Sequence, residues 1–404
     1  MERTQLTPTI ERIEILLLIA AVVAMLAKRL RVPYSIGLVV AGIGVSLLPF
    51  VPYVELTKEL IFIAFLPPLI FEAAFYLHWK DLKKDLPIIL TLATLGVLLS
   101  AGTTAIGMRY LAQWTWMGAL VFGVLIAATD PVSVIAAFKE TEVTGRIRLL
   151  VEAESLFNDC TAAVVFTIVL GLAAGQSAGV AGGAKALAIT VLGASVCGVA
   201  VAGVVLLLAG ATKDHLVEIT FTVMAAYGSF LLAEHFHFSG VLATVVAGII
   251  VGNTGHLGLF QRDRKSVEDF WEYAAFVANS LIFLLIGMHI AHQNYRSVLL
   301  PSILAIMLVT FGRAFAIYPC ALLFARSSLR VKSKHQHILF WGGLRGALAL
   351  ALALGLPPNM PRREDIIAVA FAVVAFSILV QGLTITPLVR RLGELAPAPE
   401  PIEK

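Results

Sequence analysis

"LVFGVLIAATDPVSVIAAF" (residues 120–138) and "HILFWGGLRGALALALALGL" (residues 337–356) decide how this chain folds. Each is apolar enough to lie in a bilayer, and each interrupts its own helix. In the first, Thr129-Asp130-Pro131 falls at the middle. Proline has no N–H, clashes with the preceding turn and disfavours helical geometry at Asp130. An aspartate at that depth is costly unless it is paired or wetted. In the second, Gly342, Gly343 and Gly346 weaken the helix around Arg345. Unwound backbone inside a membrane is tolerated only where protein or water covers it. Both stretches therefore predict a break lined by protein, with a charge at each.

Working outward from these two, about thirteen apolar segments follow one another along the chain. They lie near 10–27, 33–51, 57–77, 86–107, 115–138, 149–173, 186–210, 216–233, 239–252, 272–291, 298–325, 337–356 and 365–389. The 404 residues are 59% hydrophobic and 14% charged, with a mean hydropathy of +0.90. Soluble domains run at about 45–50% apolar and about 25% charged. The expected fold class is thus an all-α polytopic membrane protein. A net charge of +4, with the basic residues in short loops, gives no reason to expect a nucleic-acid partner. Cys160, Cys197 and Cys320 each sit in an apolar segment with no CxxC pairing, and read as buried free thiols. The N-terminal stretch lacks a basic start and a cleavage site, so it reads as a first membrane helix that is retained.

The loops orient the chain. "KRLR", "HWKDLKKD", "KETEVTGRIR", "KDH", "QRDRKS", "ARSSLRVKSK" and "VRR" alternate with the segments and hold 19 of the 30 Lys and Arg residues, or 20 with Lys404; the opposite side holds 8. The positive-inside rule then places the N-terminus outside and the C-terminus in the cytoplasm. Segments one to six begin outside and segments eight to thirteen inside, and the fifth of each block is broken. That is the pattern of inverted six-helix repeats with two crossed, interrupted helices, segments five and twelve. Residues 173–185, "AAGQSAGVAGGAK", read as a seam or as a plain flexible loop. "APAPEPIEK" (396–404) reads as disordered, and no soluble domain is expected.

Segment six, "VEAESLFNDCTAAVVFTIVL" (151–170), carries the chemistry. Ser155 and Asp159 are four apart and share a helical face; Glu154 and Asn158 share the next strip. A buried carboxylate beside a hydroxyl and the freed carbonyls of segment five makes an oxygen-rich site for a hard monovalent cation. Burial also favours its protonated form. One group then holds a cation or a proton in competition, the minimal requirement of an exchanger. Glu154 needs a partner, and Arg313, mid-membrane in segment eleven, supplies one; an arginine keeps its proton and so does not carry one. Asp130 and Arg345 read first as charges that offset the like partial charges of crossed helix ends, and second as ion ligands. Glu72, in "LPPLIFEAAFYLHW", reads first as an acid that reaches the interface or pairs with an arginine, and second as a funnel residue. Glu152 caps or solvates the membrane boundary. Glu234, His235 and His237 diverge in direction, form a poor metal site, and read as an outer surface turn.

Taken together, "ATDPVSVIAAFKE", "ESLFNDCTAAVVF", "FEAAFYLHW" and "GGLRGALALALAL" resemble the electroneutral sodium/proton antiporters, the NhaP/NHE branch of the monovalent cation:proton antiporters. The resemblance spans Glu72 to about Leu354. It implies a thirteen-helix homodimer in which a six-helix core moves, elevator-like, against a dimerisation domain. Residues 10–77 and 186–291 would be mainly the dimerisation scaffold, and 86–173 and 298–389 mainly the ion-translocating core. It assigns the ion- and proton-carrying role to Asp159, with Asn158 beside it. Ser155, Asp130 and the Thr129 backbone would help to bind Na⁺, and Glu154–Arg313 would be the stabilising pair. Electrogenic relatives carry two adjacent aspartates and a lysine where this chain has Asn158-Asp159 and Arg313. The resemblance therefore implies one cation for one proton, no cofactor, and a compact prokaryotic member in the cytoplasmic membrane. A potassium/proton antiporter on the same scaffold remains the alternative. An organic-anion symporter is disfavoured by the carboxylates. An intramembrane hydrolase using Asp130 and Asp159 is disfavoured by the lack of HExxH, GxGD and a basic partner.

Overall fold

Inside hydrocarbon no water meets the backbone N–H and C=O groups, so a chain this apolar satisfies them within helices. The computed structural model describes residues 3–30, 33–48, 56–131, 134–135, 138, 143–173, 180–210, 214–254, 264–293 and 295–393, and these are helical with short connections. In chain order the helices are α1 (Arg3–Leu30), α2 (Tyr34–Ser46), α3 (Leu60–Phe75), α4 (Trp79–Tyr110), α5 (Trp116–Leu125), α6 (Arg146–Ala173) and α7 (Val180–Ala209). They continue with α8 (His215–His235), α9 (Gly240–Gly252), α10 (Arg264–His292), α11 (Leu299–Leu323), α12 (Ser333–Trp341), α13 (Ala347–Leu354) and α14 (Arg363–Arg391). Seven of them, α4, α6, α7, α8, α10, α11 and α14, are long and apolar enough to cross a membrane; α2, α3, α5 and α9 are shorter apolar helices.

Every expected apolar segment carries helix, but several edges move. Helix α4 begins at Trp79 rather than near 86, because its first turns are amphipathic: Leu82 and Asp85 are buried while Lys80, Lys83 and Lys84 face outward. Helix α6 begins at Arg146, whose guanidinium grips Asp85 of α4 at 2.7 Å and also donates to the carbonyls of Leu329 and Arg330 at 2.9 and 2.8 Å. Half of the expected loop 173–185 is helical, since α7 starts at Val180; residues 174–179 lie outside the described residues, as does the stretch 396–404 expected to be disordered.

Proline inside a span needs its lost hydrogen bond replaced. Pro67 and Pro68 in α3 cannot donate to the carbonyls one turn back, and a wide turn, Leu60–Phe65, precedes them. The Tyr227 hydroxyl of α8 donates to the Ala64 carbonyl at 3.0 Å, which covers one freed group from a neighbouring helix.

The packing gathers the chain into two sets of helices. Helix α10 lies along α2 and α3, α9 against α3 and α7, and α8 against α7 and α9. Helix α11 lies along α4, α4 along α5, α5 against α6 and α13, and α13 against α14. The sets meet where α6 touches α3 and α9, and where α10 touches α14.

Candidate functional site

The two interrupted segments meet at their breaks. Helix α5 ends at Leu125, residues 128–131 run without helical bonds, and the Ile135 N–H to Pro131 carbonyl bond, 2.8 Å, restarts the turn. Helix α12 ends at Trp341 and α13 starts at Ala347. Across the crossing, the Asp130 N–H donates to the Leu344 carbonyl at 2.8 Å. Only glycine fits at Gly346, because an added Cβ would strike the Asp130 carboxylate. That contact sets Asp130 at the N-terminal end of α13, where exposed N–H groups favour negative charge. Arg345, 1% exposed, donates through Nη1 to the Ala127 and Ala128 carbonyls at 2.7 and 3.2 Å. These are the carbonyls that α5 leaves unpaired where it stops.

Arg313 does the same for the other broken helix. Its Nη1 and Nη2 donate to Glu154 Oε1 and Oε2 at 2.7 and 2.9 Å, and Nη2 also reaches the Leu339 carbonyl of α12 at 2.9 Å. The Leu339 carbonyl has no helical N–H donor because α12 ends two residues later. Arg313 and Glu154 are 5% and 1% exposed, so the fork-to-fork pair is sealed. Gly343 lets the guanidinium in, since a Cβ there would strike Arg313 Nε.

On the other side of α6, the polar groups lead to a cavity. Asn158 Nδ2 donates to Thr129 Oγ1 at 3.0 Å and more weakly to Glu154 Oε1 at 3.4 Å. Thr129 Oγ1 donates in turn to Ser155 Oγ at 3.3 Å. The Asp159 carboxylate lies beside the Thr129 backbone. One oxygen of that carboxylate, Oδ1, is buried and accepts no hydrogen bond. Thr129, Asp130 and Asp159 line a cavity of about 90 Å³ together with Glu72 and Asn279. Glu72, Asn279 and Pro131 also line a second cavity of about 730 Å³, which runs to the ends of α3, α6 and α10 past Glu152, Asp269 and Glu272. A partly dehydrated cation in the inner cavity would find hard oxygen donors: carboxylate and hydroxyl.

The structure thus brings Thr129, Asp130, Ser155, Asn158 and Asp159 together, and Glu154 with Arg313. Arg345 stands at the crossing rather than in either cavity. Glu72 lines both cavities. Glu152 is paired with Arg148 at 2.7 Å along the wall of the larger one. Glu234 and His235 end α8 and His237 lies in the turn that follows, where Glu234 Oε1 accepts the Gly240 N–H at 3.0 Å and His237 has φ 59°. Sequence reasoning passed over Asn279. An amide in an apolar span carries no charge to mark it, and only its position, seven residues after Glu272 on one helical face, was available as a signal.

Comparison with known proteins agrees with the fold. The chain is 36% identical over 413 residues to the low-affinity Na⁺/H⁺ antiporter NhaS1 of Synechocystis sp., covering 100% of this chain and 78% of that one. It is 34% identical over 362 residues to the Na⁺/H⁺ antiporter NhaP of Pseudomonas aeruginosa, covering 86% and 83%. The fold matches the sodium proton antiporter MjNhaP1 of Methanocaldococcus jannaschii with a TM-score of 0.79 at 21% identity, over 96% of this chain and 99% of that one. The family model "Sodium/hydrogen exchanger, transmembrane" matches residues 16–391, and the chain accordingly belongs to the transmembrane sodium/hydrogen exchanger family.

Proposed function

We propose that the protein exchanges Na⁺ (or Li⁺) for H⁺ across the membrane, one for one, with Asp159 carrying either ion in competition. The observation that carries this reading is the buried Asp159 Oδ1, which accepts no hydrogen bond from the described residues, in a carboxylate that lines a cavity with Glu72, Thr129 and Asp130. An ionised carboxylate oxygen left bare at that depth is costly, and a proton or a desolvated cation removes the cost. Either occupant fits, and the two exclude each other. Ser155, the Thr129 backbone and Asp130 complete the cation's shell in this reading, and Asn158 holds Thr129 in place. Glu72 serves as a funnel residue where the two cavities join.

The one-for-one ratio rests on there being a single exchangeable carboxylate. Asn158 stands beside Asp159 and has no charge to give, while Arg313 stays protonated in its pair with Glu154. Residues 10–77 and 186–291 act as scaffold and dimerisation helices, and 86–173 and 298–389 as the core that carries the ion; the two packing sets support that division. The core slides against the scaffold as access alternates. The larger cavity opens among the Lys/Arg-rich loop ends, which favours a cytoplasmic mouth, with the N-terminus outside and the C-terminus inside.

Purified protein in sealed liposomes tests the reading. A pH gradient is imposed, Na⁺, Li⁺ or K⁺ is added in turn, and an internal pH dye is followed with and without a membrane potential. Dequenching by Na⁺ and Li⁺ that ignores the potential is expected. A potential-dependent rate would overturn the ratio. A response to K⁺ alone would change the cargo, and silence from folded protein would overturn antiport itself.

A further inference from the structure

We infer that Asn279 is a cation ligand supplied by the scaffold, engaging the ion only while the site faces this cavity. The inference rests on the antiport reading above and adds a residue that neither the sequence motifs nor the core helices contain. Glu272, Phe276, Asn279 and Phe283 follow one another at helical spacing along α10, and all four line the larger cavity. Phe283 is buried, and Leu284, Leu285 and Ile286 beyond it are buried as well. Asn279 is therefore the deepest polar group on the cavity face of α10. It is also the α10 residue that lines the inner cavity with Asp130 and Asp159.

Among the described residues, none hydrogen-bonds the Asn279 carboxamide. The side chain is half-buried and lines both cavities, so its polar atoms are open to whatever occupies them. Its oxygen is a hard, neutral donor of the kind that replaces water around an alkali cation. It has no proton to exchange at accessible pH, so it adds affinity without altering the ratio of ions. Ser155 and Asp159 lie on α6, and Thr129 and Asp130 in the break after α5, all in one packing set, whereas α10 belongs to the other. If the core moves with its ion, the core ligands travel together and Asn279 stays behind. The ion then gains Asn279 on one side of the membrane and loses it on the other, which makes affinity differ between the two faces.

The test measures half-saturating Na⁺ in everted and in right-side-out membrane vesicles for wild type, Asn279→Ala and Asn279→Ser. Loss of one uncharged ligand is expected to raise half-saturation by roughly three- to tenfold from the cavity side. From the opposite side no change in half-saturation is expected. Serine keeps a short oxygen and should recover part of the affinity; it also carries the test if the alanine variant fails to assemble. A purely structural role would lower both faces together. An alanine variant with wild-type half-saturation on both faces, or with an equal rise on both, overturns the assignment. A wild type that exchanges nothing sinks the antiport reading instead, so the two failures are told apart.

Discussion

Glu154 and Asp159 stand five residues apart on α6, and their surroundings differ in kind. Glu154 is held at both oxygens by Arg313, with Asn158 weakly added, and no other described residue hydrogen-bonds its carboxylate. Asp159 lies beside the Thr129 backbone, keeps a bare Oδ1, and borders a cavity. Five residues turn a helix by roughly 500°, which sends the two side chains to different faces. The comparison shows that burial alone does not make an ion carrier. A buried carboxylate whose oxygens are saturated by a permanently charged partner is locked. One with an oxygen that accepts no bond has room for cargo. A single helix thus supplies both the bracket and the exchangeable group.

The largest effect should come from removing the exchangeable group. Asp159→Asn is expected to reduce Na⁺-driven proton flux in liposomes to that of protein-free vesicles, while thermal stability in detergent is kept or raised. Retained flux at a wild-type rate would break the comparison at its centre. The next effect strikes the locked side. Arg313→Ala leaves Glu154 buried without its partner and strips the Leu339 carbonyl, a loss of about 3–5 kcal/mol. Thermal unfolding should fall sharply, and the preference between Na⁺ and Li⁺ should hold in whatever protein remains folded; unchanged stability would show that the pair is not a bracket. The smallest effect sharpens the boundary between the two sides. Thr129→Val removes the hydroxyl that links Asn158 to Ser155, at a cost of about 1–3 kcal/mol. Both melting temperature and Na⁺ affinity should drop modestly. A change in only one of them would assign Thr129 to one side alone.

Much of this arrangement is legible in the residues. Pro131 lacks an N–H wherever it sits, so a break at Thr129–Pro131 is a covalent fact carried into the fold. Three glycines around Arg345 announce the second break in the same way. The Glu154–Arg313 pair is legible because two opposite charges in apolar spans have few other ways to be accommodated. Other features are not legible. That Arg313 also takes the Leu339 carbonyl depends on where α12 stops, and helix ends are weakly encoded. The start of α7 at Val180, inside a Gly/Ala/Ser-rich stretch that reads as a loop, shows the same limit. Asn279 escaped notice because its chemistry is ordinary until α10 is laid beside the breaks.

The sequence by itself determined that the chain is helical and membrane-embedded, that two spans are interrupted, and which few acids and arginines lie at depth. These follow from local chemistry: hydropathy, a missing N–H, absent side chains and the cost of isolated charge. Only the tertiary structure decided which groups meet. It set the Asp130 N–H on the Leu344 carbonyl, Arg345 on the carbonyl end of α5, and Asn279 in the lining of one cavity with Asp159. The physical reason is that such meetings depend on how helices far apart in the chain cross and pack. No short stretch of residues carries that information, and it exists only once every apolar face has found its neighbour.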